Sequence, residues 1–213
     1  MNPCFSSPKQ YQSEFTNLTV DLSRLIVRQA RDQDLASLAD ILADSFHSRE
    51  GIMRWTYPFL RMGIYEDLRH RLRFASGYYV CLAAIAPFST AGEQPKASLV
   101  GTVEMGLRFN YWQPQDSQYL YISNLAVRRE CRRQGVAAQL LTACERMAID
   151  WGFSELYLHV LENNYKARRL YFKLGYRLQR VEGSWTTWLL KQPRRMLLRK
   201  SLVKDGTDAG GGI

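Results

Sequence analysis

Residues 121–141 decide the fold, and they read YISNLAVRRECRRQGVAAQLL. The first seven form an apolar run typical of a buried strand, and from Gly135 onwards apolar residues recur at helical spacing. A helix N-terminus leaves about four N–H groups without partners and attracts anions. Gly135 lets a ligand approach the backbone, small Ala137 does not block it, and Arg132 and Arg133 add positive charge. We interpret this turn as a diphosphate cradle, although an ordinary basic loop before a helix would have the same composition.

Apolar periodicity predicts a mixed α/β domain on both sides of this stretch. Strands are expected at 25–30, 78–86, 98–109, 119–127, 155–160, 176–181 and 195–202, and helices at 35–46, 58–75, 135–151 and 164–174. The order indicates a largely antiparallel front half rather than the regular strand–helix alternation of a doubly wound sheet.

The bulk composition of the 213 residues, with 46% hydrophobic residues, predicts one globular domain with extensions. We expect a flexible arm over 1–23, the domain over 24–204 and a disordered Gly-rich tail over 205–213. No apolar run approaches the roughly 20 residues that span a bilayer, so no membrane partner is expected. Cys81 and Cys144 fit core positions, and no cysteine pair has metal-site spacing, so we predict no metal and a reducing cytoplasm.

Positive charge is concentrated near the end of the chain. Residues 161–204 hold twelve Lys or Arg and two acidic residues, whereas the net charge of the whole chain is +9. This balance predicts an anionic partner. The charge alone does not decide whether that partner is a phosphorylated cofactor, an acidic protein surface, or nucleic acid, for example in a ribosome.

A second motif follows one helix and one strand after the basic turn. It reads NxxAxxxYxxxGY over residues 164–176, and its Asn, Ala and Tyr lie at i, i+3 and i+7, on one helical face. Together with RxxGxA at 132–137, this motif resembles the signature of the GCN5-related N-acetyltransferases (GNAT). The resemblance is close over about 58 residues, from 119 to 176. The arginine-rich end at 194–200 resembles plastid and cyanobacterial members.

The resemblance implies a fold, a cosubstrate and a compartment. The fold would be α/β of the α+β type, with a mixed, mostly antiparallel central sheet, helices on both faces and a splayed central strand pair. Acetyl-CoA would be the cosubstrate, and no metal would be needed. The protein would act in a cyanobacterial-type cytoplasm or, for a plant homologue, in the plastid stroma. The implied cofactor-binding residues are Leu125, Ala126, Val127, Arg132, Arg133, Gln134, Gly135, Val136, Ala137, Ala138, Asn164, Ala167 and Tyr171.

The resemblance also implies direct attack of the amine in a ternary complex. Tyr171 is similar to the family's general acid. The position of His159 is similar to that of a catalytic Glu in bacterial ribosomal-protein alanine acetyltransferases. It is also similar to that of a His in one eukaryotic N-terminal acetyltransferase. That enzyme pairs the His with a Tyr, and Tyr121 stands at the matching position here. His159 and Tyr121 are therefore candidate base residues, and Glu104 is a third candidate. His47 and His70 are expected to be surface or packing residues.

The substrate is predicted from the pKa of the amine. A peptide α-amine, with a pKa of roughly 8, is easier to use than a lysine near 10.4, although lysine acetylation stays possible in a tight site. The first two helices and the 110–117 loop would set specificity. Two alternatives stay open: an enzyme that acetylates a polyamine or amino-sugar, and an RNA- or ribosome-binding scaffold of weak activity.

Overall fold

The computed structural model describes residues 19–20, 22–46, 57–75, 77–89, 96–109, 118–183 and 192–202. Within these residues eight strands form one sheet: β1 (Thr19–Val20), β2 (Ile26–Gln29), β3 (Tyr79–Ser89), β4 (Lys96–Phe109), β5 (Gln118–Val127), β6 (Glu155–Leu161), β7 (Arg177–Glu182) and β8 (Arg195–Ser201). The helices are α1 (Leu35–Phe46), α2 (Tyr57–Phe74), α3 (Val136–Asp150) and α4 (Tyr165–Lys173). The strand order is β1-β3-β4-β5-β6-β8-β7, and β2 also pairs with β3.

The sheet is buried on both faces in its centre, because two helical layers cover it. Alternate residues of β3 face opposite cores: Val80 and Leu82 pack with α3, whereas Cys81 and Ala83 pack with α1 and α2. The α3 residues in the first core share a helical stripe, as their spacing predicts: Val136, Leu140, Leu141, Cys144 and Ala148. The cysteine predictions for Cys81 and Cys144 are confirmed, since both are buried.

The central strands β5 and β6 run parallel but pair over only three residues each. The paired residues are 120–122 and 156–158, after which both strands continue without pairing to each other. A β-bulge interrupts the β4–β5 register between Ser123 and Ala126, and Asn124 adopts a left-handed backbone with φ of 52°. Asparagine tolerates this conformation, and a bulge bends its strand. The predicted splayed strand pair is therefore confirmed.

The observed elements follow the predicted order, and their ends differ from the predicted ends by a few residues. Thr19–Val20 pair with β3, so the sheet begins before residue 24, where the sequence placed the domain boundary. Asn164 caps α4 and is not inside it. His47 and the 110–117 loop lie outside the described residues, as does the predicted tail. Among the helices of the described part, none is long and apolar enough to cross a membrane.

Two glycines provide a matched test of the packing between the sheet and α3. A Cβ at Gly101 would lie 3.0 Å from a Val136 methyl and 3.1 Å from the Ala126 carbonyl oxygen, whereas a Cβ at Gly63 on α2 would meet no atom within 4 Å. Gly101→Ala should lower the free energy of unfolding by about 1–3 kcal/mol through overpacking. Gly63→Ala should raise it by about 0.5–1 kcal/mol through helix propensity. Urea unfolding measures both changes, and equal stability of the two variants would contradict this packing.

Candidate active site

A cleft of about 1160 Å³ opens where β5 and β6 separate. Its walls come from the free lengths of β5 and β6, the turn before α3, and α4. The predicted cofactor residues that line it are Leu125, Ala126, Val127, Arg132, Arg133, Gly135, Val136, Ala137, Ala138, Asn164, Ala167 and Tyr171. Gln134 is the exception: its side chain donates to the Glu130 carbonyl oxygen at 3.0 Å and does not line the cleft.

The start of α3 has the properties of an anion cradle. The Gln139 N–H donates to the Gly135 carbonyl oxygen at 3.0 Å, which leaves the amides of residues 136–138 outside the helical ladder. Gly135 has φ of 87°, and a Cβ built there would enter open space. Two arginines and three backbone donors therefore face a space from which side-chain bulk is absent, and this arrangement fits the diphosphate of coenzyme A.

Three side chains form a hydrogen-bonded chain across the sheet at the point where the central strands separate. The Tyr121 hydroxyl lies 2.8 Å from His159 Nδ1, and His159 Nε2 lies 3.0 Å from Glu182 Oε2. Arg180 donates to the other oxygen of Glu182 at 2.6 Å. Burial raises the pKa of Glu182, but the Arg180 hydrogen bond and nearby positive charge outweigh it, so the pKa lies below its usual value.

An ionised Glu182 determines the tautomer of the His159 ring. A carboxylate only accepts hydrogen bonds, so Nε2 carries the proton and Nδ1 accepts from the Tyr121 hydroxyl. Burial lowers the pKa of His159, and the charge of Arg195 lowers it further, so the ring is neutral at neutral pH. Burial raises the pKa of Tyr121, while the charges of Arg108 and Arg195 oppose that rise.

Tyr171 lies on α4 and lines the cleft from the sheet face opposite to that of Tyr121 and His159. It is 8% exposed, and its ring centroid lies 5.8 Å from that of Tyr176. Burial raises its pKa to about 12, with a smaller contribution from Tyr121. Tyr171 therefore keeps its proton at neutral pH and can donate it.

The other motif residues shape the cleft wall. The Asn164 side-chain oxygen accepts from the Ala167 N–H at 3.2 Å and caps α4, so its amide nitrogen is the group that can donate to a ligand. The small Ala167 lines the same wall one turn along the helix.

Glu104, the third candidate base, is buried, whereas a base that accepts a proton from a bound substrate must be accessible to it. Glu104 is 1% exposed, and its carboxylate is held by the Tyr79 hydroxyl at 2.9 Å, the Asn124 amide at 2.7 Å and an ion pair with Arg71 at 3.2 Å. Three donors satisfy this buried charge, so its role in the structure is to anchor the bulge of β5.

Four residues of this region were not predicted from the sequence: Arg108, Asn124, Glu182 and Arg195. Asn124 carried a weak signal, because asparagine is uncommon inside an apolar strand and tolerates left-handed backbone. The other three carried no local signal, since strand register alone brings them to the site.

Comparison with known proteins places this geometry in a family. GCN5-related N-acetyltransferase 10, chloroplastic, of Arabidopsis thaliana is 28% identical over 176 residues, which are 79% of this chain and 68% of that protein. Thialysine N-epsilon-acetyltransferase of Bos taurus is 32% identical over 98 residues, which are 46% of this chain and 55% of the bovine protein. The chain thus spans about two thirds of the plastid relative and about half of the bovine one.

The fold is shared with Arabidopsis thaliana NAA60, solved in complex with a bisubstrate analogue. That structure has a TM-score of 0.58 at 20% identity and covers 83% of this chain and 98% of its own. NAA60 has also been solved with acetyl-CoA, the cosubstrate that the sequence predicts here. The family model for the acetyltransferase (GNAT) family matches residues 35–176 and confirms the predicted resemblance. The chain therefore belongs to the acetyltransferase (GNAT) family.

Proposed function

We propose that this acetyltransferase transfers the acetyl group of acetyl-CoA to protein α-amines and, less readily, to lysine ε-amines. The observation that carries the proposal is the Tyr121–His159 hydrogen bond of 2.8 Å, which lies where the cleft and the open sheet face meet. An amine that approaches over this face meets a proton acceptor beside the cofactor cleft. The proposed compartment is a cyanobacterial-type cytoplasm or the plastid stroma, and the chloroplastic relative supports the second of these.

The cofactor residues keep the roles that the motifs predict. The amides of residues 136–138, with Arg132 and Arg133, would hold the diphosphate, and the unpaired length of β5 would pair with the pantetheine arm. This geometry would direct the thioester toward the part of the cleft that Tyr121 and Tyr171 line from opposite faces of the sheet.

The proposed reaction is a direct attack, so no acyl-enzyme forms. The amine nitrogen bonds to the carbonyl carbon of the thioester, the carbon–sulfur bond breaks, and the thiolate takes the proton of Tyr171. The amine proton passes to the Tyr121 oxygen while the Tyr121 proton moves to His159 Nδ1. Glu182 stabilises the imidazolium that results and keeps the ring in the accepting tautomer.

The charges around Tyr121 favour an α-amine. Arg108 and Arg195 act on this residue, and nearby cations destabilise an ammonium, which shifts a bound amine toward its neutral form. The pKa of a lysine side chain is about 2.5 higher than that of an α-amine. The neutral form of a bound lysine therefore needs about 3.4 kcal/mol more stabilisation. The same charges repel a polyamine, so they argue against that class of substrate.

The proposal is tested by incubating the full chain with acetyl-CoA and a peptide library, with mass spectrometry to locate each added acetyl group. Acetylation chiefly at peptide N-termini, with release of free coenzyme A, supports it. Acetylation confined to polyamines or amino-sugars, or tight RNA binding without any transfer, would replace it with one of the two alternatives.

The cradle is tested by placing bulk and negative charge at Gly135. Gly135→Glu should abolish coenzyme A binding in calorimetry, because the side chain would occupy the expected phosphate site. Gly152→Glu is the matched control, since Gly152 also has positive φ, 83°, and open space around it, but lies outside the cleft lining. Near-normal affinity in Gly135→Glu would contradict the cradle.

The acid role predicts a specific kinetic change in Tyr171→Phe. Turnover should fall about 100-fold while the Kd for acetyl-CoA stays within about threefold, because only the proton donor is lost. Tyr165→Phe, an exposed position on the same helix, should leave both values unchanged. Unchanged turnover in Tyr171→Phe would remove this residue from the acid role.

The proposed proton transfer from Tyr121 to His159 predicts a shifted pH profile in Glu182→Gln. Loss of the anion destabilises the imidazolium and lowers the pKa of His159 further. The ascending limb of log kcat should therefore move to lower pH, and kcat should fall about tenfold at its maximum. Glu162→Gln removes a carboxylate that pairs with Arg194 and has no contact with His159, so its profile should match that of the unmodified enzyme. An identical shift in both variants would refute this proton transfer.

A further inference from the structure

The sheet face that carries Tyr121 and His159 is rich in arginine. Residues that pair across adjacent strands point to the same face of a sheet. The registers of β4, β7 and β8 place five arginines on this face: Arg108, Arg177, Arg180, Arg195 and Arg199. The Arg177 guanidinium donates to the carbonyl oxygens of Phe172 and Tyr176, on the α4 side of β7.

Two of these arginines are neutralised by carboxylates of the same face. Arg180 pairs with Glu182 at 2.6 Å, and Arg199 pairs with Glu155 at 2.8 Å. These two guanidinium groups have their charge balanced within the protein, so they are not strong attractors for an external anion.

Arg108 and Arg195 differ from that pair. Both are exposed, and neither forms an ion pair with any carboxylate in the part of the chain that the structure describes. The Arg108 guanidinium lies 3.7 Å from the centroid of the Tyr121 ring, and the charge of Arg195 acts on both Tyr121 and His159. Among the arginines of this face that lack a carboxylate partner in the described residues, Arg108 and Arg195 are the two beside Tyr121.

Their positions relative to the amine follow from the strand order. Arg108 is on β4 and Arg195 is on β8, and these strands flank the central β5–β6 pair. A peptide whose α-amine contacts Tyr121 therefore has a guanidinium group on each side of its first residues. Each further residue extends the chain by at most about 3.6 Å, so the side chains of the second and third residues are within reach of an arginine.

We propose that Arg108 and Arg195 form a carboxylate-binding subsite that selects protein N-termini with Asp or Glu in their first residues. The guanidinium fork binds a carboxylate with two parallel hydrogen bonds, and it repels a lysine or arginine at the same place. The inference rests on the proposed function, since it names the substrate class of the same site.

The test uses three peptides that are identical except for Asp, Asn or Lys as the second residue. The full chain should acetylate the Asp peptide about tenfold more efficiently, in kcat/KM, than the Asn peptide, and the Lys peptide less efficiently still. The preference should weaken as ionic strength rises, because the arginines are exposed. A parallel measurement of the Kd of each peptide, labelled at its C-terminus, in the presence of coenzyme A reports on the subsite even if transfer is absent.

Variants assign the preference to these two arginines. Arg108→Gln and Arg195→Gln should each reduce the Asp-to-Lys ratio several-fold through the KM for peptide, and the double variant should abolish it. Arg199→Gln, which removes an arginine already paired with Glu155, should keep the full preference.

Three results would overturn the inference. One is equal binding and acetylation of the three peptides. Another is an equal loss of preference in Arg199→Gln and Arg195→Gln. The third is a raised KM for acetyl-CoA in Arg108→Gln or Arg195→Gln, which would assign that arginine to the cofactor. A charge preference in peptide Kd without any acetyl transfer would instead support the subsite while refuting the proposed function.

Discussion

The bulge at Asn124 is the constraint on which the site depends. The left-handed residue shifts the register of β5 against β4, and the pairing of β5 with β6 ends at Ile122. Beyond that point the backbone of β5 has no strand partner on the β6 side, and the cleft occupies the gap. An undistorted sheet would close this gap with hydrogen bonds and leave no room for a cosubstrate.

The bulge is held by a buried charge. The Asn124 amide donates to Glu104, whose carboxylate is also held by Tyr79 and Arg71. A buried carboxylate is costly unless several donors satisfy it, so this cluster specifies one local arrangement of β4, β5 and α2. The base candidate that the sequence offered at position 104 is thereby a structural anchor, and the hydrogen-bonded chain of Tyr121, His159 and Glu182 occupies the open part of the face.

Arginine side chains occur both in the cleft and on the sheet face that carries Tyr121 and His159. Arg132 and Arg133 lie at the cradle, where anionic phosphate is expected, whereas Arg108 and Arg195 lie beside Tyr121, and Arg195 also lines the cleft. Four basic side chains near the end of the chain form ion pairs: Arg180 with Glu182, Arg194 with Glu162, Arg199 with Glu155 and Lys200 with Glu145. Glu155 and Glu145 lie outside residues 161–204, so their pairs with Arg199 and Lys200 reduce the positive charge that the +10 balance of that segment indicates.

The sequence by itself predicted the family, the element order and the turn that we propose as the diphosphate cradle. These features are local: a strand, a basic turn, a glycine with positive φ and a helix start follow one another within 121–141, so their spacing is readable along the chain. Only the tertiary structure decided the contact of Glu182 with His159, the burial of Glu104 and the pairing of the arginines. Glu182 is 23 residues from His159 in sequence and reaches it across β8, and a shift of one residue in strand register would turn it to the other face. Register depends on long-range packing, which no local pattern encodes.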